Sequence, residues 1–263
     1  MKDDKVVNQS SFSVWLHRLV KSIRILQEFG FDELCRNISH FLRFYFVHNP
    51  KYFRKMNYVK HRFNGHLAVA DPYKIVNVHP RDVTQFAPEF GKYESVGRIA
   101  SGDWDKQTIP VENMIKYRSI RERFEEDMTW ANTGIIEYHC EKIAESDKQA
   151  FDGCSDESEV IQRYVNIDKV YDNIKNFGYD ARQHGEMDYI AVHVGREGQL
   201  LFAGSGTHRL SICKILDINE IPVWIRARHQ KWQYLRDKIV SDDNFRKNVS
   251  DLRDHPDLQD LYD

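Results

Sequence analysis

The sequence lacks several features that would assign it at once to a class of protein. Its four cysteines, in 263 residues, form no CxxC pair and no regular Cys/His spacing, which excludes a disulfide framework and a zinc site. No run of about 18 apolar residues occurs, so no membrane-spanning helix is expected. The net charge of -2 argues against a protein built mainly to coat nucleic acid.

The first residues also lack the pattern of a secretory signal. "MKDDKVVNQSSFSVWL" places acidic residues where a signal peptide has basic ones, and no small-residue cleavage site follows. The composition, 41% hydrophobic and 30% charged, is that of an ordinary globular protein. We therefore expect a cytoplasmic protein with free thiols.

Residues 1–65 are predicted to form a helical appendage. Apolar residues recur at helical spacing over 11–29, a second helix is predicted over 32–47, and a basic connector follows over 48–63. Basic residues lie beside the apolar face of 11–29. That face is expected to pack on the main domain or on a second copy, which leaves a homodimer open. Peripheral contact with an anionic membrane surface is the alternative.

Residues 66–240 are predicted to form the main domain, with its core at 160–228. Its segments alternate between helices and strands, which indicates a mixed α/β fold with a small mixed sheet and flanking helices. The polar, acidic stretch 146–159 is the most linker-like. Residues 241–263 form a highly charged tail that is expected to be partly disordered.

One stretch in the core carries the strongest functional pattern. "LLFAGSGTHRLSICKILDINEIPVWI" (200–225) predicts a strand, a glycine-rich turn, a helix and a second strand. Glycines before a helix N-terminus let the backbone approach an anion, and Thr, His and Arg add donors. The predicted phosphate site consists of Gly204, Ser205, Gly206, Thr207, His208 and Arg209. The turn is neither a Walker A loop nor GxGxxG, and tight packing alone is the alternative interpretation.

This stretch resembles the ParB/sulfiredoxin-like superfamily. The resemblance is carried by "VYDNIKNFG" (170–178) and by residues 189–225, where "GSGTHR" is followed one helix later by "IPV". "YKIVNVHPRDV" (73–83) matches less clearly. Members include ParB CTPase clamps, sulfiredoxin and a free serine kinase, and they bind the phosphates of ATP or CTP at this turn.

The resemblance implies roles for individual residues. Gly204, Gly206, Thr207, His208 and Arg209 would contact the phosphates, and His208 would also take part in catalysis. Lys169 and Asn173, one turn apart on the preceding helix, would contact the nucleotide. Thr207 stands where sulfiredoxin has its catalytic cysteine, so repair of sulfinic acids is not expected.

A second polar stretch, "GRIASGDWD" (97–105), is the candidate source of catalytic carboxylates. In an extended segment Asp103 and Asp105 would point to one face, where they could position an acceptor hydroxyl and hold Mg²⁺. Arg98 and Trp104 would bind the acceptor. A polar turn with two solvated aspartates is the alternative.

These residues predict a nucleotide-dependent, kinase-like phosphotransferase. It would use Mg²⁺ and move the γ-phosphoryl group of ATP, CTP or another nucleoside triphosphate to a hydroxyl of a small molecule or glycan. The alternative is a ParB-like CTP-binding and hydrolysing switch, or a nuclease module, acting on DNA or on a protein partner. The near-neutral charge argues against the DNA form.

Overall fold

The computed structural model describes residues 38–39, 42–88, 90, 92–146, 149–181 and 189–262. The chain divides into two units, Met1–Phe53 and Arg54–Asp263. In the first unit residues 42–47 are helical, within the helix predicted over 32–47. The helix predicted over 11–29, with its expected packing, dimer or membrane contact, lies outside the described residues.

Helix α1 (Pro50–Phe63) takes the place of the basic connector predicted over 48–63, and that prediction was wrong. The helix buries polar side chains, Asn57 and His61, which lie one turn apart. The ring nitrogen Nε2 of His61 lies 2.8 Å from the carbonyl oxygen of Gly97. Phe53 is the third buried residue of the helix. Because two of the three buried residues are polar, the usual inward-facing apolar pattern of a helix is largely missing from the sequence.

Seven strands of the described chain form one mixed sheet, which confirms the predicted mixed α/β class. In chain order they are β1 (Ile75–Val78), β2 (Gln85–Phe86), β3 (Arg98–Ala100), β4 (Ile109–Pro110), β5 (Ile190–Val194), β6 (Leu200–Phe202) and β7 (Ile221–His229). Across the sheet the order is β1–β7–β5–β6–β2–β4, and β3 also pairs with β7. The pairs β5–β7, β3–β7 and β2–β6 are parallel, whereas β1–β7, β5–β6 and β2–β4 are antiparallel.

The helices that follow α1 are α2 (Ile115–Glu125), α3 (Ile135–Glu145), α4 (Glu157–Phe177), α5 (Thr207–Ile215), α6 (Gln230–Ser241) and α7 (Asp243–Asn248). Helix α5 contacts both α2 and α4. Helix α4 begins at a conventional cap, because the side chain of Asp156 accepts a hydrogen bond from the Glu159 N–H at 2.9 Å. None of these described helices is long and apolar enough to cross a bilayer.

The sheet buries apolar side chains on both of its faces. Leu200 and Phe202 belong to the main core, together with apolar residues of α2, α4 and α5. Leu201 points to the opposite face, since side chains alternate along a strand. There it joins a smaller cluster that includes Trp104, which is 2% exposed.

The charged residues after Ser241 are folded rather than disordered over 242–262. Asp257 is completely buried and receives two hydrogen bonds from Arg228, at 2.9 and 2.6 Å. Its carbonyl oxygen also accepts a bond from Arg236, and Trp232 donates to its carboxylate at 2.9 Å. The expectation of a partly disordered tail failed because its charges are matched by buried charges on β7 and α6.

Candidate functional site

The glycine-rich turn joins β6 to α5 and lies against the start of β5. Gly204 and Gly206 have φ of +80° and +84°, a left-handed conformation that favours glycine. A Cβ on Gly206 would lie 3.0 Å from Cγ1 and 3.1 Å from Cα of Ile190. The Ala191 N–H donates to the carbonyl oxygen of Ser205 at 3.1 Å. The turn therefore needs its glycines both for backbone shape and for space.

The turn leaves the N-terminus of α5 without a side-chain cap. Gly206 is the N-cap residue, and no described side chain makes a capping hydrogen bond there. The first N–H groups of a helix have no partner within the helix and lie at the positive end of its dipole. Thr207 is the first residue of the helix, and its hydroxyl adds a hydrogen-bond donor at the same place. This combination is suited to a phosphate or carboxylate.

A cleft of about 480 Å³ opens at this helix N-terminus, a size typical of small-molecule sites. All six residues of 204–209 line it. The remaining lining residues come from distant parts of the chain: Lys92, Lys116, Asp152, Arg163, Ile167 and Val170. Lys92, Lys116, Arg163 and Arg209 are cationic, against one carboxylate, so the described walls of the cleft favour an anion.

Asp152 is that carboxylate, and two of the cations hold it. Lys116 Nζ lies 2.5 Å from its Oδ2, and Arg163 Nη2 lies 3.0 Å from the same oxygen. Arg163 Nη1 also donates to the Asp152 carbonyl oxygen at 2.9 Å. Burial alone would raise the pKa of Asp152, but the charges of Lys116 and Arg163 outweigh it and hold that pKa below its ordinary value.

The backbone of Asp152 is left-handed, with φ of +51°. Aspartate tolerates this conformation better than most residues, but it still costs energy. Such a strained position is often retained where a side chain has a function. Asp152 lies in the segment 146–159, whose polar, acidic composition predicted a linker.

His208 lines the cleft, but its ring belongs to a buried polar network. The Tyr164 hydroxyl lies 3.4 Å from Nε2 of His208 and 3.2 Å from Nε2 of His139. Burial, assisted by the charge of Lys116, lowers the pKa of His208 to about 3 and that of His139 to about 4. At neutral pH His208 is uncharged, which favours a supporting role for it over the catalytic role expected from the sequence.

Helix α4 presents a different face to the cleft than the sequence predicted. Lys169 and Asn173 are exposed and do not line it. The residues that do are Arg163, Ile167 and Val170, spaced i, i+4 and i+7 along one side of the helix. The helix named in the prediction therefore lines the cleft, but with a different face from the one that carries Lys169 and Asn173.

Asp103 and Asp105 are brought together by Arg196 instead of by the glycine turn. Arg196 Nε lies 3.0 and 2.8 Å from the two oxygens of Asp105, and its backbone N–H donates to Oδ2 at 2.8 Å. Its Nη2 reaches Asp103 Oδ1 at 2.7 Å. Burial would raise the pKa of Asp105, but the hydrogen bonds from Arg196 outweigh it and lower that pKa.

This carboxylate pair lies at the opposite end of β5 from the glycine turn. Ala191 on β5 bonds to the glycine turn, whereas Arg196 lies in the β5–β6 turn, five residues further along. At about 3.3 Å per residue the separation is about 16 Å. The structure therefore does not bring Asp103 and Asp105 to the cleft. Both carboxylates bind Arg196 instead.

Arg98 and Trp104 do not line the cleft either. Trp104 is a core residue, and its indole N–H points to the carbonyl oxygen of Ala100 at 3.4 Å. Arg98 is exposed on β3, with its guanidinium 4.5 Å from the ring centroid of Phe90. The structure gives Trp104 a packing role in place of the predicted contact with an acceptor.

Four charged cleft residues could not be identified as site residues from the sequence pattern used: Lys92, Lys116, Asp152 and Arg163. Arg163 could have been predicted, because its i, i+4, i+7 spacing with Ile167 and Val170 places all three on one side of α4. The Asp152–Gly153 pair is a turn signal that places a carboxylate at a bend. Lys92 and Lys116 carry no pattern of their own, because only the tertiary fold brings them to the glycine turn.

No protein-family model matches this chain, and no curated protein or solved structure matches it. The superfamily suggested by "GSGTHR" and "IPV" therefore stays a prediction from the sequence. The described residues also contain no group of three His, Cys, Asp or Glu side chains placed to hold a metal ion.

Proposed function

We propose that the protein binds the phosphates of a nucleoside triphosphate at Gly204–Arg209 and transfers the γ-phosphoryl group to a hydroxyl of a small molecule or glycan. The observation that carries this proposal is the meeting of an uncapped helix N-terminus with four cationic residues in one cleft. The resemblance to ParB/sulfiredoxin-like proteins supports ATP or CTP as the ligand over other anions.

The cleft residues do not fit a protein-held Mg²⁺. The predicted ligands, Asp103 and Asp105, are bonded to Arg196 outside the cleft. Asp152 is the one carboxylate that lines the cleft in the described chain, and Lys116 and Arg163 already contact it. We therefore assign the neutralisation of phosphate charge to the cationic side chains and no step to a metal.

Phosphoryl transfer needs mainly positioning and charge stabilisation. The N–H groups at the start of α5 would bind the terminal phosphates. Lys116 and Arg163 would offset the charge that spreads over the transferring group. Asp152 would accept a hydrogen bond from the acceptor hydroxyl, orient it and take its proton. The acceptor oxygen forms a bond to the γ-phosphorus, and the bond to the bridging oxygen breaks. The nucleoside diphosphate leaves with the electron pair.

The ion pairs of Asp152 also favour a second candidate function. A carboxylate held ionised by two cations is a weak proton acceptor, so the cleft could bind a nucleotide without transferring its phosphate. The protein would then be a nucleotide-controlled switch similar to ParB, acting on a protein or DNA partner.

Labelled nucleotide distinguishes the two functions. Wild type, Asp152→Asn and the control Asp172→Asn, on an exposed position of α4, are incubated with γ-labelled ATP or CTP and a panel of monosaccharides. The proposal expects labelled sugar phosphate from wild type and the control, and a loss of about 10²- to 10⁴-fold in Asp152→Asn. Binding without transfer to sugar would support the switch, whether or not labelled phosphate is released to water. Unchanged transfer by Asp152→Asn would contradict the role of Asp152.

A further inference from the structure

Helix α1 carries most of its large apolar side chains on the outside. Phe53, Asn57 and His61 are buried, but Met56, Val59 and Phe63 are 47%, 57% and 91% exposed. Single exposed apolar residues are normal on a protein surface, whereas a row of them on one helix is not.

The exposed residues form a continuous stripe. Met56, Val59 and Phe63 are spaced i, i+3 and i+7, so at 100° per residue they fall within an arc of about 60°. The buried positions, Asn57 and His61, point roughly to the opposite side of the helix. Asn57 and His61 pack against the domain, so the stripe on the opposite side of α1 faces away from the domain.

The charge on α1 has one sign. The helix contains five Lys and Arg residues and no Asp or Glu: Lys51, Arg54, Lys55, Lys60 and Arg62. Arg54 is paired with Asp71, with 2.9 Å between Nε and Oδ2. At helical spacing, Lys55 and Arg62 flank the apolar stripe on one side and Lys60 flanks it on the other.

We infer that α1 docks on an anionic lipid surface, with Met56, Val59 and Phe63 entering the interface. An apolar stripe flanked by Lys and Arg is the pattern of helices that lie in the plane of a membrane surface. Long basic side chains reach outward to anionic headgroups while their stems cover apolar surface. A second copy of the same face is disfavoured, because it would set two all-cationic helices against each other.

Vesicle sedimentation tests this assignment with the full chain. The vesicles contain either phosphatidylcholine alone or equal parts of phosphatidylcholine and phosphatidylglycerol. We expect wild type to bind only the anionic vesicles and to be released in about 1 M salt, where screening is nearly complete. Val59→Ser/Phe63→Ser should bind at least about tenfold more weakly, because two apolar side chains leave the interface.

Phe177→Ser is the matched control, since Phe177 is 80% exposed on a different helix, α4, and its loss should leave binding unchanged. Lys51→Glu/Lys55→Glu, at exposed positions, should also weaken binding to anionic vesicles. Residues 11–29 are present in every variant, so a difference between variants reports on α1 alone.

Three results would overturn the inference. Wild type could fail to bind anionic vesicles, it could bind neutral vesicles equally well, or the stripe variants could bind as wild type does. Light scattering after size-exclusion chromatography measures the oligomeric state and so tests the alternative, that a second copy of the chain covers the stripe. A wild-type dimer that becomes monomeric in Val59→Ser/Phe63→Ser, without vesicle binding, would make this face an interface between copies.

Discussion

Arg163 and Asp152 are joined by two contacts, one to the carboxylate and one to the backbone. Nη2 of Arg163 lies 3.0 Å from Oδ2, and Nη1 donates to the carbonyl oxygen at 2.9 Å. These contacts connect α4 to the strained turn at Asp152 and set one wall of the cleft. A ligand phosphate would meet a cation that is already in position, which lowers the entropy cost of binding.

Arg163→Ala is expected to weaken nucleotide binding about 10- to 100-fold, because a charged hydrogen bond to phosphate contributes about 1.5–3 kcal/mol. Lys169→Ala is the matched control on the same helix, exposed and outside the cleft. Calorimetric titration of both variants with ATP and CTP gives the comparison. A large loss in Lys169→Ala with none in Arg163→Ala would favour the helix face predicted from the sequence.

Gly206→Ala should destabilise the protein more than Gly134→Ala. Both glycines precede a helix with positive φ, so each substitution costs about 1–2 kcal/mol for the left-handed backbone. Only at Gly206 would the new methyl group crowd Ile190, adding about 1–3 kcal/mol of overpacking. Urea unfolding of the two variants measures the difference. Equal losses would show that the turn has room for a side chain.

The rings of His208 and His139 should stay neutral well below neutral pH. Their pKa values are lowered to about 3 and about 4, so the unfolded chain binds protons first as pH falls below about 6.5. Stability therefore rises with pH between about 4 and 6.5. NMR of ¹⁵N-labelled histidine, assigned with His208→Gln, should show uncharged rings at pH 5.5. A titration midpoint near pH 6.5 for His208 would contradict this prediction and favour a role for its charged ring as a phosphate ligand.

Asp257→Asn should cost about 3–5 kcal/mol at pH 7, because it leaves Arg228 buried without its counter-ion and leaves Arg236 paired with Asp260 alone. Burial would raise the pKa of Asp257, but the charges of Arg228 and Arg236 outweigh it and hold that pKa far below its ordinary value. A depressed carboxylate stabilises the fold fully above its unfolded pKa of about 3.9 and loses that contribution as pH falls.

The acid limb of the stability curve tests this assignment of Asp257. Wild type should lose stability below about pH 5, and Asp257→Asn should show a flatter decline there. Asp254→Asn changes an exposed carboxylate three residues away and serves as the control. Parallel acid curves for wild type and Asp257→Asn would contradict the proposed role of the buried carboxylate.

The sequence predicted the features that local rules determine. A strand, two glycines with positive φ and a helix start follow from a few consecutive residues, so the position of the glycine turn could be predicted. Helix α1 could not, because two of its three buried residues, Asn57 and His61, are polar and most of its apolar residues point outward. Binary patterning fails where the inward face is polar.

The rest of the cleft depends on long-range packing. Lys116 and Asp152 lie 36 residues apart in the chain, and only the fold joins them. The same dependence on long-range packing explains why the sequence wrongly predicted Asp103 and Asp105 to act beside the glycine turn. Their local pattern is typical of a catalytic site, but the partner that engages them, Arg196, lies more than 90 residues further along.

Calorimetric titration of ATP, CTP, GTP and UTP into wild type, Arg209→Ala and Arg118→Ala tests the central claim most directly. Arg118 is exposed on α2 and does not line the cleft, so it controls for the loss of one positive charge. The account predicts that at least one nucleotide binds wild type and Arg118→Ala, and that Arg209→Ala loses this binding. If no nucleotide binds wild type, the turn at Gly204–Arg209 serves packing alone, and both proposed functions are contradicted.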